Sequence, residues 1–208
     1  MRIYKRLMES KRLMEFKNTE VTNYLKEKNL SVIDCDQNRP WGGWYLIDAN
    51  PQFDKKILRV VPQTILSLQF HGTPTHPGHL EKWEACTQIR AIVGCQSVVG
   101  QSEDILKTLL VVDVEPQGTL IIGSGFIHAL ANPFSDDIYV VETRESMINE
   151  TAKERENNIV RIYDQTNRNG TPSFPEDLLN RIMDVNRKAD VIVKSQTVFD
   201  TTKFSKIN

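Results

Sequence analysis

The sequence predicts a mainly β domain, a sandwich or barrel, with helical segments at both ends. Two observations carry that expectation. Between about residues 31 and 165, short runs rich in β-branched and aromatic residues follow one another, separated by Asn-Pro, Gly, Pro-Gly and Asn-Pro-Phe turn signals. No helical pattern lies between those runs, which excludes the alternating strand–helix units of a parallel sheet.

The elements follow in order. Residues 1–30 read as a helix, because Leu7, Leu13, Met14, Val21, Tyr24 and Leu25 recur at near-helical spacing among Lys and Glu, with no Pro or Gly. Strands are expected at 44–47, 57–61, 65–71, 83–93, 106–114, 119–122 and 138–143. Residues 171–188 read as helix again: Pro175 and Glu176 open a segment with Leu178, Leu179, Ile182, Met183 and Val185 on one side. Residues 191–199 supply a last strand. The organisation expected is a helical extension over 1–30, a β-barrel domain over 31–170, and a helix and strand over 171–208 that pack on the barrel.

Composition narrows the function classes. The 208 residues carry 26 Lys and Arg against 27 Asp and Glu, a balance that argues against a nucleic-acid binder or a polybasic membrane binder. A 25% charged and 39% hydrophobic chain is globular rather than disordered. No apolar stretch approaches the roughly 18 residues that span a bilayer, and the charged start has no signal-peptide core. Three cysteines, with no CxxC pair, fit a reducing cytoplasm. The four histidines all lie between His71 and His128.

The candidate chemistry gathers around those histidines. In a strand Ser67-Leu68-Gln69-Phe70-His71, Gln69 and His71 share one face while Leu68 and Phe70 share the other. A polar face inside a barrel needs partners, and a bound metal supplies them. Glu81 opens a following strand, and His128 comes just after the Gly123-Ser-Gly125 turn. One amide oxygen, two imidazoles and a carboxylate (Gln69, His71, His128, Glu81) form an N/O set suited to a first-row divalent metal. His76 and His79 sit in a Pro- and Gly-rich loop and are expected to be solvent-exposed.

Five segments in order then carry a resemblance: Arg39-Pro-Trp-Gly42, Val61-Pro62 leading into Ser67-Leu-Gln-Phe-His71, Glu81-Lys-Trp83, Gly125-Phe-Ile-His128-Ala-Leu-Ala-Asn132-Pro133, and Asn158-Ile-Val-Arg161-Ile-Tyr-Asp164-Gln-Thr-Asn167-Arg168. Over roughly residues 38–170 the chain resembles the cupin superfamily and, within it, the type II mannose-6-phosphate isomerases. The same module forms the C-terminal part of bifunctional mannose-1-phosphate guanylyltransferases. The resemblance implies a double-stranded β-helix, or jelly-roll barrel. It implies Gln69, His71, Glu81 and His128 as ligands of a metal, zinc first, with iron, manganese or nickel held by similar sets. The chain departs from the family pattern in its longer loop before Glu81. His79 stands there in place of an Arg, Lys82 in place of a His, and Thr166 and Asn167 in place of Tyr-Gly.

The activity implied is interconversion of mannose 6-phosphate and fructose 6-phosphate through an enediol. Glu142 and His79 are the candidate bases, and Arg168 joins them as a catalytic candidate by its motif position. Arg39, Lys82, Arg144 and Arg161 are the remaining candidates for binding a sugar phosphate. An isomerase of other sugar preference and a sugar-binding cupin without turnover are the alternatives. The N-terminal helix and the C-terminal strand are material for a homodimer contact.

Overall fold

The computed structural model describes residues 19–72, 76–95 and 108–199. The chain divides between Ser31 and Val32. On the N-terminal side the described part is one helix, α1 (Thr19–Glu27), ended by Asn29 in a left-handed conformation. The rest of the helix expected over 1–30 lies outside the described residues. Among the described residues no helix is long and apolar enough to cross a membrane.

Among the described residues the second unit holds fourteen strands: β1 (Asp34–Arg39), β2 (Gly42–Ala49), β3 (Phe53–Val60), β4 (Thr64–Ile65), β5 (Leu68–His71), β6 (His79–Ala85), β7 (Ile89–Gly94), β8 (Leu110–Val114), β9 (Thr119–Ile122), β10 (Ile127–Asn132), β11 (Ile138–Ser146), β12 (Ile159–Tyr163), β13 (Val191–Val193) and β14 (Gln196–Phe199). Helix α2 (Ala152–Asn157) lies between β11 and β12, and α3 (Glu176–Met183) between β12 and β13. One sheet runs β1-β2-β3-β11-β6-β9-β14 and the other β12-β5-β10-β7-β8-β13, with β4 on β10. At their centres lie β3-β11-β6-β9 and β5-β10-β7-β8. The chain passes between the two sheets in the order of an eight-stranded jelly roll, the double-stranded β-helix that the sequence resemblance implies.

Where the sequence predicts one strand over 83–93, the chain makes two in opposite sheets. The corner between them is held by Tyr139: its carbonyl accepts from the N–H groups of Cys86 and Thr87, and its own N–H donates to Thr87 Oγ1 at 3.0 Å. A side chain replaces the ladder bond, so the strand leaves the sheet. Strand β10 has no alternation to betray it, because all six of its residues are buried. Its two faces pack into different clusters. Leu130 faces the barrel core with Trp83, Val140 and Ile122, while Ile127, Ala129 and Ala131 meet Phe174, Leu178 and Ile182 on the outside.

Helix α3 covers that outer face, and Arg90 fastens its C-terminus. The buried guanidinium pairs with Asp113 and donates to the carbonyls of Ile182 and Asp184. Gly42, at φ +132°, turns Trp41 into the barrel; a Cβ there would lie 2.1 Å from Arg59 O.

Along the central strands the inward positions change from apolar to polar. On β11 the sequence Ile138, Val140, Glu142, Arg144 runs in register with Val60, Leu58, Lys56, Asp54 on β3. On β6, Ala85, Trp83 and Glu81 stand opposite Val140, Glu142 and Arg144. One part of the barrel interior is therefore a hydrophobic core and the other a polar cavity.

Candidate metal centre and its cavity

Strand β5 presents Gln69 and His71 to the barrel interior and sends Leu68 and Phe70 outward under the cover of α3. Strand β6 adds His79 and Glu81, and β10 adds His128, whose Cα is paired with that of Gln69. His71, Glu81 and His128 are all buried, and one donor atom from each lies within 4.8 Å of the others. His71 Nε2 is 2.8 Å from Glu81 Oε1, and His128 Nε2 is 3.4 Å from Oε2.

These three residues fit a metal ion. Both ring nitrogens of His71 and the Nε2 of His128 are buried without a hydrogen-bond partner, an arrangement that costs free energy unless something binds there. His128 Nδ1 meets the Phe126 carbonyl at 2.9 Å, which sets the tautomer with its proton on Nδ1 and leaves Nε2 as a lone-pair donor. Burial pushes the His71 pKa down to about 4 against the pull of Glu81, so its imidazole is neutral at neutral pH. Burial alone would raise Glu81, but the surrounding imidazoles hold it well below the usual carboxylate range. A neutral imidazole at His71 and an ionised carboxylate at Glu81 are the protonation states that metal ligation requires of those two residues.

The histidine-rich loop is placed differently from the expectation of exposure. His79 is the first residue of β6 and is 0% exposed. Its ring lies 3.8 Å from that of His71, and its Nε2 is 3.5 Å from Glu81 Oε1. The strand alternation of His79, Glu81 and Trp83 puts all three inside. His76 is half-buried: Gly78 donates its N–H to Nδ1, and Nε2 lies 3.2 Å from Glu150 Oε2. It pairs with the segment before α2 and is not among the metal-competent residues.

Beside the set opens a cavity of about 490 Å³. Gln69, Glu81 and Glu142 line it, as do Arg39, Arg144, Arg161 and Arg168, and Trp41 and Trp44 supply part of its apolar wall. Gln69 Oε1 accepts from Ser67 Oγ at 2.6 Å, and Arg168 Nη2 reaches the same hydroxyl at 3.3 Å. Burial, and then the charge of Glu81, push Glu142 up to about 8, with Arg144 and Lys56 opposing.

The basic residues divide by how they are engaged. Arg161 Nε is buried with no hydrogen-bond partner, and burial and Arg168 both lower its pKa. Arg168 pairs with Asp164 at 2.6 Å, and Arg39 with Asp36 at 2.8 Å. Arg144, a substrate-binding candidate from sequence, is bound on both sides: it chelates Asp54 and donates to Glu156 at 2.9 Å. Lys82, another candidate, is turned away. It stands on the outer face of β6, 36% exposed, with Glu84 as its partner at 3.5 Å, because the period of two that puts Glu81 inside puts Lys82 outside. Asn132 fixes the turn after β10 by donating to the carbonyls of Val60 and Asp136 and accepting from Phe134 N–H.

Sequence reasoning does not find Asp54, Arg155 or Glu156. Asp54 and Arg155 are buried and, with Arg144, make an ion cluster that joins β3, β11 and α2 beneath the cavity. The available signal was the period of two that aligns Asp54 and Lys56 with Leu58.

No protein-family model and no curated protein matches the chain. Among solved structures it is similar to the capsular polysaccharide assembling protein CapF from Staphylococcus aureus, at a TM-score of 0.46 and 12% identity over 64% of this chain and 34% of that one. It is similar to an oxalate decarboxylase from B. subtilis at 0.44 and 13%, over 69% of this chain and 33% of that one. It is also similar to KdgF from Halomonas sp. at 0.40 and 9%, over 54% and 87%. The chain spans about a third of the length of the first two. The strand order β3-β11-β6-β9 against β5-β10-β7-β8 makes the chain a double-stranded β-helix, a jelly roll, with a metal-competent His-Glu-His set on its inner faces.

Proposed function

We propose that the protein is a metal-dependent sugar-phosphate isomerase that interconverts mannose 6-phosphate and fructose 6-phosphate by moving a proton between C1 and C2 through an enediol. The observation that carries the reading is the sharing of one cavity by three kinds of group. Glu81 lies at its wall among the imidazoles, Glu142 holds a carboxyl with a raised pKa, and Arg161 offers a guanidinium whose buried Nε has no hydrogen-bond partner.

His71, Glu81 and His128 would hold the ion, zinc first, with the Gln69 amide beside them. A bound divalent ion supplies Lewis-acid stabilisation of negative charge at the sugar's O1 and O2. Glu142 is the base that takes the proton from one carbon and returns it to the other. Its desolvated carboxyl brings the pKa towards the operating range of a general base. Arg161 binds the phosphate, and Arg168, held by Asp164, flanks it; a guanidinium matches phosphate oxygens with a planar fork of donors. Trp41 and Trp44 line the wall and exclude water from the sugar.

The test is metal analysis of the reconstituted protein together with a coupled assay from mannose 6-phosphate to fructose 6-phosphate. Turnover with near-stoichiometric metal is expected. Metal without turnover of any hexose or pentose phosphate overturns the isomerase reading, and turnover of a different sugar overturns the mannose assignment alone. Failure to take up any divalent ion overturns the ligand assignment.

A further inference from the structure

We infer that Trp83 is a positioning residue of the metal centre, holding Glu81 through its indole N–H and His128 through its ring. The inference rests on the metal reading above. Trp83 is 2% exposed and stands two residues after Glu81 on the same inward face of β6. Its Nε1–H donates to Glu81 Oε2 at 2.9 Å, within the barrel interior. Its ring meets that of His128 edge-on, with centroids 5.6 Å apart at 82°. One side chain therefore touches two of the three metal-competent residues, which come from different sheets.

The chemistry of the indole suits that task. It is a donor only, so it cannot compete as a ligand, whereas an ionised carboxylate accepts at both oxygens. Among the described residues, Trp83 makes the aligned hydrogen bond to Glu81. The imidazoles stand 2.8–3.5 Å away with their nitrogens unaligned as donors. Arg144, the cross-strand partner of Glu81, is engaged by Asp54. Trp83 thus fixes the rotation of the carboxylate, so that Oε1 stays next to His71 Nε2 and Oε2 next to His128 Nε2. Without the indole N–H, the polar groups left beside the carboxylate among the described residues are the imidazoles of His71, His79 and His128, two of which would share the ion with it. Support of this kind behind a ligand is worth roughly 10–100-fold in metal affinity.

The experiment titrates the full chain with Co²⁺ by calorimetry and absorption spectroscopy, comparing wild type with W83F, which keeps the aromatic packing and removes the N–H. The expected result is a Kd about 10–100-fold weaker in W83F, with altered visible Co²⁺ bands. An unchanged Kd with unchanged bands overturns the positioning role and leaves the metal reading intact. Wild type that binds no Co²⁺ overturns both. If W83F does not fold, ¹⁵N-indole spectra of wild type decide instead, with the Trp83 resonance assigned by elimination using W41F and W44F. A Trp83 indole signal that moves on Zn²⁺ addition supports the role, and one that stays still overturns it.

Discussion

Arg144 stands directly across the β6–β11 ladder from Glu81, yet its guanidinium chelates Asp54 on the opposite neighbour, β3. That choice keeps a permanent cation off the carboxylate that the imidazoles surround. Asp54 is enclosed by Arg144, Arg155 and Lys56, and Glu156 accepts from Nη1 of Arg144 and pairs with the ammonium of Lys56.

Asp54→Asn leaves buried guanidinium charge uncompensated and is expected to cost about 3–5 kcal/mol in urea unfolding at neutral pH. It also frees Arg144 to turn to Glu81, so Zn²⁺ affinity falls with it. Burial alone would raise the Asp54 pKa, but the hydrogen bonds and charge of Arg144 hold it below 3.8. The folded state therefore binds fewer protons than the unfolded one in the window below 3.8. The Asp54 contribution is fully present above that value and is lost as pH falls through the folded pKa. Wild type should lose stability more steeply than D54N below about pH 4.

The loop histidine and the barrel histidines should separate by metal content. His71→Ala and His128→Ala each remove a buried donor of the His-Glu-His set, and elemental analysis after Zn²⁺ reconstitution should find them empty. His76→Ala removes a contact to Glu150 outside that set, and its metal content should match wild type. Equal loss in all three would place the loop histidine among the ligands.

Glu142→Gln keeps the shape of the wall and removes the base. Steady-state kinetics should show kcat lowered by about 10²–10⁴-fold, with bound zinc unchanged. The raised pKa adds a second readout in the metal-free protein. Between the ordinary value of 4.5 and about 8, the folded state holds a proton that the unfolded state has released. Stability from this group is complete below 4.5 and is lost as pH rises through about 8. Metal-free E142Q should show a flatter decline over that window in thermal unfolding.

Arg161 is the cross-strand partner of Gln69 on the cavity wall, and its substitution tests recognition rather than fold. Arg161→Ala should raise KM for the sugar phosphate by about 10–100-fold, the size expected for losing hydrogen bonds to a charged group, with zinc content intact. An unchanged KM would assign the phosphate to another residue.

Much of this protein was legible before folding. The strand runs and turn signals announce a β barrel, and the alternation in Ser67–His71 puts Gln69 and His71 on one face, as β5 does. The period of two is local: each side chain's face follows from its neighbours on the same strand. The amphipathic stripe of Leu178, Leu179 and Ile182 likewise announces the helix that covers the outer sheet.

Other features needed contacts between segments far apart in the chain. His79 reads as a loop residue because Pro77 and Gly78 precede it. Only the pairing of β6 with β11 makes it the start of a strand and buries it. Strand β10 hides because helix α3, some fifty residues later, covers the face that would otherwise be polar. Lys82 and Arg144 are both basic candidates for the sugar phosphate, and no local rule tells that one faces solvent while the other is locked by Asp54. Residue types and their faces follow from the chain's own periodicity. Which charges find each other, and which nitrogens are left buried without partners, is decided only when two sheets close on one interior.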